Sequence, residues 1–348
     1  MIIIGCDFHP SWQQIAWLNR ETGETGEEKL VHATGEAEKF YRQVAGPALI
    51  GMEATGNCQW FVDMVTGMGH EVWIGDAAKI RASEVRRQKH DRRDAALLLK
   101  LLEKKEFPKI WTPSSQQRDL RQLLIHRHKL VRLRAQVKNG LQHLAMNRGL
   151  QKQRRLWSVA GQQALRDLVL QPWASRRRGD LFGLLEMLDG QVGSLDMAVK
   201  EAAEKHSQSQ LLMSQPGVGP VTSLAFVLTI GDVTRFQRGK NVASYLGLIP
   251  GEYSSGGQQR LGPITKQGNR FMRMLLVEAA QVAVRCDPQF RSEYLHRCHR
   301  KPKGVAKVAA ARKLAIRLYW MLRTQKRYPE IVSIESRSRV PLVVRHGG

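Results

Sequence analysis

The first hundred residues of this chain show short apolar runs at strand-like lengths. Met1 to Phe8 is rich in β-branched residues, and Gln13 to Leu18 is predicted as a second strand after a proline-containing turn. The following segments are predicted as strands at 30–33, 48–52 and 71–74 and as helices at 36–44 and 59–68. Strands that precede alternating helices and strands favour an α/β domain with a mixed sheet.

From residue 81 the pattern becomes helical, and after Pro108 and Pro113 it extends into two long helices. Apolar residues of the first recur at spacings of three or four, or their multiples, at Leu120, Leu123, Leu130, Leu133, Val137, Leu141 and Leu144. Those of the second are Leu181, Leu184, Leu188, Val192, Leu195 and Val199. The two patterns predict an antiparallel coiled coil that serves as a spacer or a subunit contact.

The other face of the first long helix is basic. Its cations, called here the basic stripe, are Arg118, Arg121, Arg127, Lys129, Arg132, Arg134 and Lys138. A solvated surface and a surface that contacts phosphates explain this stripe equally well.

From Leu211 the sequence predicts a glycine-rich helical domain, and after Pro329 it shows no packing pattern. We therefore expect four regions: a sheet domain at 1–112, a helical coiled-coil linker at 113–205, a C-terminal helical domain at 206–328 and a flexible tail at 329–348.

The charge of the chain is strongly basic and unevenly distributed. The formal net charge is +24, yet the first 78 residues carry eleven acids and four bases and are net −7, which leaves net +31 for the remainder. Such an excess favours a polyanionic partner, and nucleic acid is the leading candidate. A basic protein of the ribosomal type, or one that is merely solubilised by its charge, is the simpler alternative.

The four cysteines are widely spaced, and the sequence contains no secretory segment and no long apolar run. A reducing cytoplasm fits best, and no membrane partner is expected.

Four acids stand where a metal site would need them. Asp7 ends the first apolar strand, Glu53 follows the buried run 48–52, and Asp91 and Asp94 share one face at the start of a helix. Oxygen ligands of this kind bind Mg²⁺, which supports phosphoryl transfer. Taken singly, each acid is better explained by a cap of a turn or helix or by the surface, but four acids in this order of strand, strand and helix favour a shared site.

These motifs resemble the DEDD transposases of insertion sequences, which include Piv-type DNA invertases and bridge-RNA-guided recombinases. The resemblance extends to about Arg323 and includes an aspartate on the first strand, the Gly-x-Glu-Ala-Thr-Gly motif around Glu53, and Asp-x-x-Asp-Ala from Asp91. His90 is a minor departure from the pattern. The resemblance implies a RuvC/RNase H-like mixed sheet and a helical transposase domain.

The C-terminal half adds to the resemblance. The run from Tyr253 to Gly257 is similar to the family segment in which the serine before glycine is the nucleophile, and this selects Ser255. From the spacing alone, a plain flexible loop is the better interpretation. The residues predicted to bind phosphate are Gly217 and Gly219, in a loop that opens a helix, and Arg260, Lys266, Arg270 and Arg273.

The resemblance implies a DNA recombinase that joins DNA to Ser255, with Mg²⁺ held by the four acids. It further implies a structured guide RNA that pairs with donor and target DNA, and a homo-oligomer whose active sites combine domains of different subunits. The alternatives are a metal-dependent nuclease or Holliday-junction resolvase, in which the acids activate water, and a non-catalytic nucleic-acid-binding protein.

Overall fold

The computed structural model describes residues 1–83, 91–150, 155–254 and 256–337. The chain divides into two compact units, Met1–Thr112 and Pro113–Gly348. Two residues of the predicted motifs, His90 and Ser255, lie outside the described residues.

A five-stranded mixed sheet forms the centre of the first unit. Its strands are β1 (Ile2–Phe8), β2 (Trp12–Asn19), β3 (Thr25–Val31), β4 (Leu49–Glu53) and β5 (Glu71–Gly75). They lie in the order β3-β2-β1-β4-β5. Strands β3, β2 and β1 pair antiparallel, whereas β1, β4 and β5 pair parallel. This is a ribonuclease H-like arrangement, and it confirms the predicted fold class.

The third strand begins earlier than its sequence pattern predicts. The prediction places it around 30–33, whereas β3 spans Thr25–Val31 and pairs with β2 over that length. It is an edge strand in which only Leu30 is buried. The residues of β3 therefore show no alternation of apolar and polar side chains, and backbone pairing with β2 determines where the strand lies.

Helices cover both faces of this sheet. They are α1 (Glu36–Gln43), α2 (Gln59–Gly67), α3 (Ala77–Ala82) and α4 (Asp91–Glu103). Cys6 of β1 packs in one core with Tyr41 of α1, and Ile3 packs in a second core with Leu98 of α4. Because alternate residues of a strand share a face, Asp7 emerges on the same face as Ile3, next to α4.

Two long antiparallel helices open the second unit, as predicted. They are α5 (Ser115–Met146) and α7 (Pro172–Lys205), with the short α6 (Val159–Arg166) between them in sequence. Arg127 forms an ion pair with Asp196, and Arg134 Nη1 lies 3.2 Å from Asp189 Oδ1. These pairs define the antiparallel register.

The apolar seam between these helices differs from the prediction at two positions. Leu130 packs with Leu188, but Leu133 is 46% exposed and Leu184 is 44% exposed. Leu185 is buried instead of Leu184. In α7 the seam instead follows Leu181, Leu185, Leu188 and Val192, whose spacings of four, three and four keep these side chains on one face of a helix that repeats every 3.6 residues.

The rest of the second unit is largely helical. Its helices are α8 (Ser207–Met213), α9 (Pro220–Ile230), α10 (Gly239–Tyr245), α11 (Arg270–Cys286), α12 (Pro288–Arg300), α13 (Lys303–Thr324) and α14 (Tyr328–Arg337). Residues 222–230 of α9 are all buried, so this helix forms the centre of the domain. A small hairpin of β6 (Pro250–Glu252) and β7 (Leu261–Ile264), which the sequence pattern did not predict, interrupts the helices. Within the described part of the chain, no helix has both the length and the apolar character needed to cross a bilayer.

Helix α14 occupies the start of the segment expected to be a flexible tail. Ile331 is buried in the helical core. Tyr328 Oη donates a hydrogen bond to Asp287 Oδ2 at 2.6 Å. The segment from 329 is therefore helical as far as Arg337 because it completes this core, and residues 338–348 lie outside the described residues.

Candidate active site

Asp7 and Glu53 stand at the ends of two neighbouring parallel strands. Cys6 of β1 pairs with Met52 of β4, and each acid follows directly in its strand. Gly51, two residues before Glu53, faces Leu102 of α4, since a Cβ added to it would lie 2.8 Å from that side chain. Both acids therefore project on the face covered by α4.

A glycine in β1 allows the backbone of α4, just after its first turn, to pack directly against this strand. A Cβ on Gly5 would lie 2.2 Å from the carbonyl oxygen of Ala95, so only glycine allows the observed approach. Asp91 and Asp94 occupy the first turn of α4. The close contact consequently places both acids beside Asp7.

The pKa of Asp7 reflects this concentration of negative charge. Burial raises the pKa above its ordinary value, and the carboxylates of Asp94 and Asp91 raise it further, whereas His9 opposes the shift. A partly buried group of like charges is unfavourable unless a proton or a cation neutralises it. The cluster is therefore suited to bind a cation.

His9 belongs to this cluster, although sequence reasoning missed it. Its Nε2 lies 3.2 Å from Asp7 Oδ2. One donor atom from each of Asp7, His9 and Asp91 lies within 4.8 Å of the other two. The available signal was the spacing, because residues two apart at a strand end share one face.

Glu53 lies outside the group of Asp7, His9 and Asp91, and it forms an ion pair with a basic residue. Arg81 of α3 places Nη2 3.3 Å from Glu53 Oε1. The Arg81 side chain is 76% exposed, so the ion pair is weak and can be exchanged for another cation. The structure thus brings Asp7, Asp91 and Asp94 together and leaves Glu53 on the adjacent strand.

The donor atoms of this cluster fit a divalent metal ion. Carboxylate oxygens are the usual protein ligands of Mg²⁺ and Mn²⁺, and an imidazole nitrogen suits transition metals. Asp7, His9 and Asp91 offer both kinds of donor, and their donor atoms lie within 4.8 Å of one another. The chemistry of these donor atoms and the raised pKa of Asp7 both favour a bound divalent cation.

The β6–β7 hairpin loop contains described residues on either side of position 255 in sequence. Ser254 Oγ donates to Glu252 Oε1 at 2.6 Å and accepts from the backbone N–H of Arg260 at 3.2 Å. Gly256 has a φ of 58°, a left-handed conformation that favours glycine. Nothing tests the role of Ser255, which stays a prediction.

Three of the four cations predicted to bind phosphate line one groove. Lys266, Arg270 and Arg273 border a volume of about 660 Å³ at the start of α11, which Glu278 also lines. Arg260 lies on the hairpin loop instead, where its side chain donates to Gln258 at 3.3 Å. The groove is large enough for a phosphate group and its flanking atoms.

Arg273 also has a structural role in this groove. Its guanidinium donates to the carbonyl oxygen of Leu246 at 3.3 Å and to that of Gln267. Burial lowers its pKa, and the neighbouring charge of Arg270 lowers it further. Arg273 thus holds the segment before α11 in place, and Lys266 and Arg270 are the better candidates for binding a ligand.

The glycine-rich loop before α9 has two glycines with different explanations. Gly217 has a φ of 86°, and a Cβ added to it would lie 2.4 Å from the carbonyl oxygen of Ala279 in α11. Packing against α11 therefore accounts for this glycine. Gly219 is the residue before α9 and has open space around it, so the phosphate-binding prediction applies to the backbone N–H groups of this helix start.

The first unit is a ribonuclease H-like sheet with acids clustered at its strand ends, and the chain continues as a basic helical domain. Together these features define a class of protein. Its members are enzymes that transfer phosphoryl groups in nucleic acids.

Comparison with known proteins narrows this class to one family. Residues 4–146 match the model of DEDD transposases of the IS110 type, and residues 209–295 match that of the transposase IS116/IS110/IS902 family. A "Probable family 20 transposase" of Pseudomonas aeruginosa is 29% identical over 92% of this chain and 96% of its own length. The transposases for the insertion sequence elements IS1328 of Yersinia enterocolitica and IS1111A of Coxiella burnetii are 25% and 27% identical. They cover 80% and 67% of this chain and 84% and 65% of their own lengths.

The chain belongs to the IS110/IS116/IS902 family of transposases, with a DEDD domain at its N-terminus and the second family domain in its C-terminal half. It is thus the transposase of an insertion sequence, an enzyme of DNA transposition, and its DEDD domain implies a divalent metal ion.

Proposed function

We propose that this transposase is a site-specific DNA recombinase that cuts and rejoins DNA through a phosphoserine intermediate. The observation that supports this most directly is the grouping of Asp7, Asp91 and Asp94 at the end of β1, with Glu53 on the next strand. Ser255 is the proposed nucleophile because it precedes Gly256 in the motif that resembles the family.

The reaction balances without an energy-rich cofactor. Ser255 Oγ loses its proton and forms a bond to the phosphorus of a DNA phosphodiester, while the bond from that phosphorus to one DNA oxygen breaks. The departing DNA oxygen takes up a proton. A hydroxyl group of a second DNA strand then attacks the phosphoserine and releases the serine, so each bond that breaks is replaced by an equivalent one.

Side chains of both units serve this chemistry. The acids proposed to hold Mg²⁺ are Asp7, Glu53, Asp91 and Asp94. When bound, the ion supplies Lewis-acid stabilisation of the charge that develops on the phosphate. Lys266 and Arg270 donate to the non-bridging phosphate oxygens. The hydrogen bond from Ser254 to Glu252 orders the chain that leads to the nucleophile.

The proposed partners are DNA and a structured guide RNA that pairs with donor and target DNA. In this proposal the RNA reads the sequence, so the protein contacts backbones rather than bases. The net charge of +31 after residue 78 supports binding to polyanions of this size. We further propose a homo-oligomer in which one active site combines domains from different subunits.

The covalent intermediate provides the decisive test. The full chain, with the nucleic acid that purifies with it, is incubated with Mg²⁺ and end-labelled DNA that carries its insertion site, and the products are separated by denaturing electrophoresis. We expect a protein–DNA band that disappears in Ser255→Ala. The band should be at most weakened in the control Ser254→Ala, which loses the hydrogen bonds to Glu252 and from the Arg260 N–H but keeps the proposed nucleophile. Cleaved DNA without any covalent band would instead establish a metal-dependent nuclease.

The guide RNA is tested separately by sequencing the nucleic acid that purifies with the protein after a moderate salt wash. A discrete RNA species supports the proposal. Random fragments, or none, would refute guidance by RNA and leave the recombinase chemistry unaffected.

A further inference from the structure

We propose that His9 is a direct ligand of the catalytic metal ion, which gives this transposase a mixed nitrogen and oxygen site rather than one made of carboxylates alone. This inference rests on the proposed function in that it assigns a further residue to the same metal site. It concerns a side chain outside the four acids of the DEDD motif.

The position of the imidazole supports this role. Two ligands of one small divalent ion lie about 3 Å apart when each stands about 2.1 Å from the ion. His9 Nε2 and Asp7 Oδ2 are 3.2 Å apart, and a donor of Asp91 lies within 4.8 Å of both. Ligation requires the tautomer with the ring proton on Nδ1, which leaves the lone pair of Nε2 available to the ion.

The ring is also held in this position by the surrounding chain. The backbone N–H of His9 donates to the carbonyl oxygen of Trp12 at 2.9 Å, which closes the turn between β1 and β2. The imidazole stacks on the Trp12 indole at a centroid distance of 4.1 Å and an interplanar angle of 24°. The ammonium group of Lys29 lies 4.2 Å from the same indole ring. A ligand that is already oriented loses little freedom when it binds an ion.

A simple hydrogen bond from His9 to Asp7 is the competing explanation for this geometry. In that case His9 orients the carboxylate but does not touch the ion. The two roles differ in one measurable property, because a nitrogen bonded directly to a paramagnetic ion has a much stronger magnetic coupling to it than a nitrogen that only hydrogen-bonds to a ligand.

The test uses Mn²⁺ as the probe and the full-length protein freed of nucleic acid. Pulsed electron paramagnetic resonance should detect nitrogen coupling to the bound Mn²⁺. The coupling should be absent in His9→Ala and in His9→Asp and present in His32→Gln, a matched control in the same unit. His9→Asp should still bind Mn²⁺, since a carboxylate replaces the imidazole as a ligand.

Affinities provide a second measurement. His9→Ala should weaken Mn²⁺ binding by about tenfold and Mg²⁺ binding by less than about threefold, because imidazole favours transition metals more than it favours Mg²⁺. Nitrogen coupling that is missing from the wild type, or that survives in His9→Ala, would overturn the assignment of His9. Failure of Asp7→Asn to reduce Mn²⁺ binding would instead show that the carboxylate site itself is misplaced, which is a failure of the proposed function.

Discussion

Replacing Gly5 by alanine tests how the acids are brought together. The added methyl group would stand 2.2 Å from the Ala95 carbonyl oxygen and 2.4 Å from the Leu99 nitrogen, both backbone atoms of α4. Ordinary contact requires roughly 3.4 Å, so the helix must move away from β1 by about 1 Å. Overpacking of this kind typically costs about 1–3 kcal/mol in the free energy of unfolding.

The same displacement should affect the metal site more than it affects the fold. Asp91 and Asp94 travel with the first turn of α4 and move away from Asp7. A displacement of about 1 Å at a catalytic group can reduce the rate by about a hundredfold. We therefore expect Gly5→Ala to remain folded at moderate temperature, with weaker Mn²⁺ binding and greatly reduced recombination.

Urea unfolding, Mn²⁺ titration and a recombination assay measure these three effects. The matched control is Gly67→Ala at the end of α2, where an added Cβ meets nothing within 4 Å. That variant should be unchanged or slightly more stable, because alanine favours a helix over glycine by about 0.5–1 kcal/mol. If Gly5→Ala matched wild type in stability and in Mn²⁺ affinity, the close contact would not position the acids.

Three further outcomes follow from charge. Asp7→Asn should abolish recombination yet raise the Tm of the metal-free protein at pH 7. The raised pKa means that charged Asp7 destabilises the fold, so this gain should fade as the pH falls through the raised pKa to its ordinary value. Nucleic-acid affinity of the full chain should fall steeply between low and moderate salt, and a fragment of the first 78 residues should bind poorly; a flat salt dependence would contradict an electrostatic interaction. Arg121→Met should lower the free energy of unfolding in urea by about 1–3 kcal/mol, because it removes a half-buried donor to the Leu228 carbonyl oxygen. The control Arg132→Met changes an exposed cation, so it should lower nucleic-acid affinity without changing stability.

The carboxylate motif was predictable because it follows strand and helix boundaries. The apolar runs before Asp7 and Glu53 end where β1 and β4 end, and the helical pattern places Asp91 and Asp94 on one face. The mixed sheet and the helical hairpin were predictable for the same reason, since burial imposes a period on the sequence.

Features that depend on contacts between distant segments were not predictable. His9 is the exception, because its spacing of two from Asp7 was visible in the sequence and only the turn that orders its ring against Trp12 was not. The edge strand β3 and the β6–β7 hairpin have too few buried residues to produce a period. Gly217 was predicted to bind phosphate, yet its packing on α11 is visible only in three dimensions.

The basic stripe shows why formal charge overestimates the surface available to nucleic acid. Four of its seven cations bond within the second unit. Arg118 donates to the Pro113 carbonyl oxygen, Arg121 to that of Leu228, and Arg127 and Arg134 pair with aspartates of α7. Lys129 and Arg132 are exposed, and Lys138 lies over the Trp157 ring at 5.0 Å. Each phosphate contact adds about one to the salt dependence of binding, so this helix should contribute about two or three contacts rather than seven. The larger share of the affinity must then come from other basic segments after residue 78, among them the groove that Lys266 and Arg270 line.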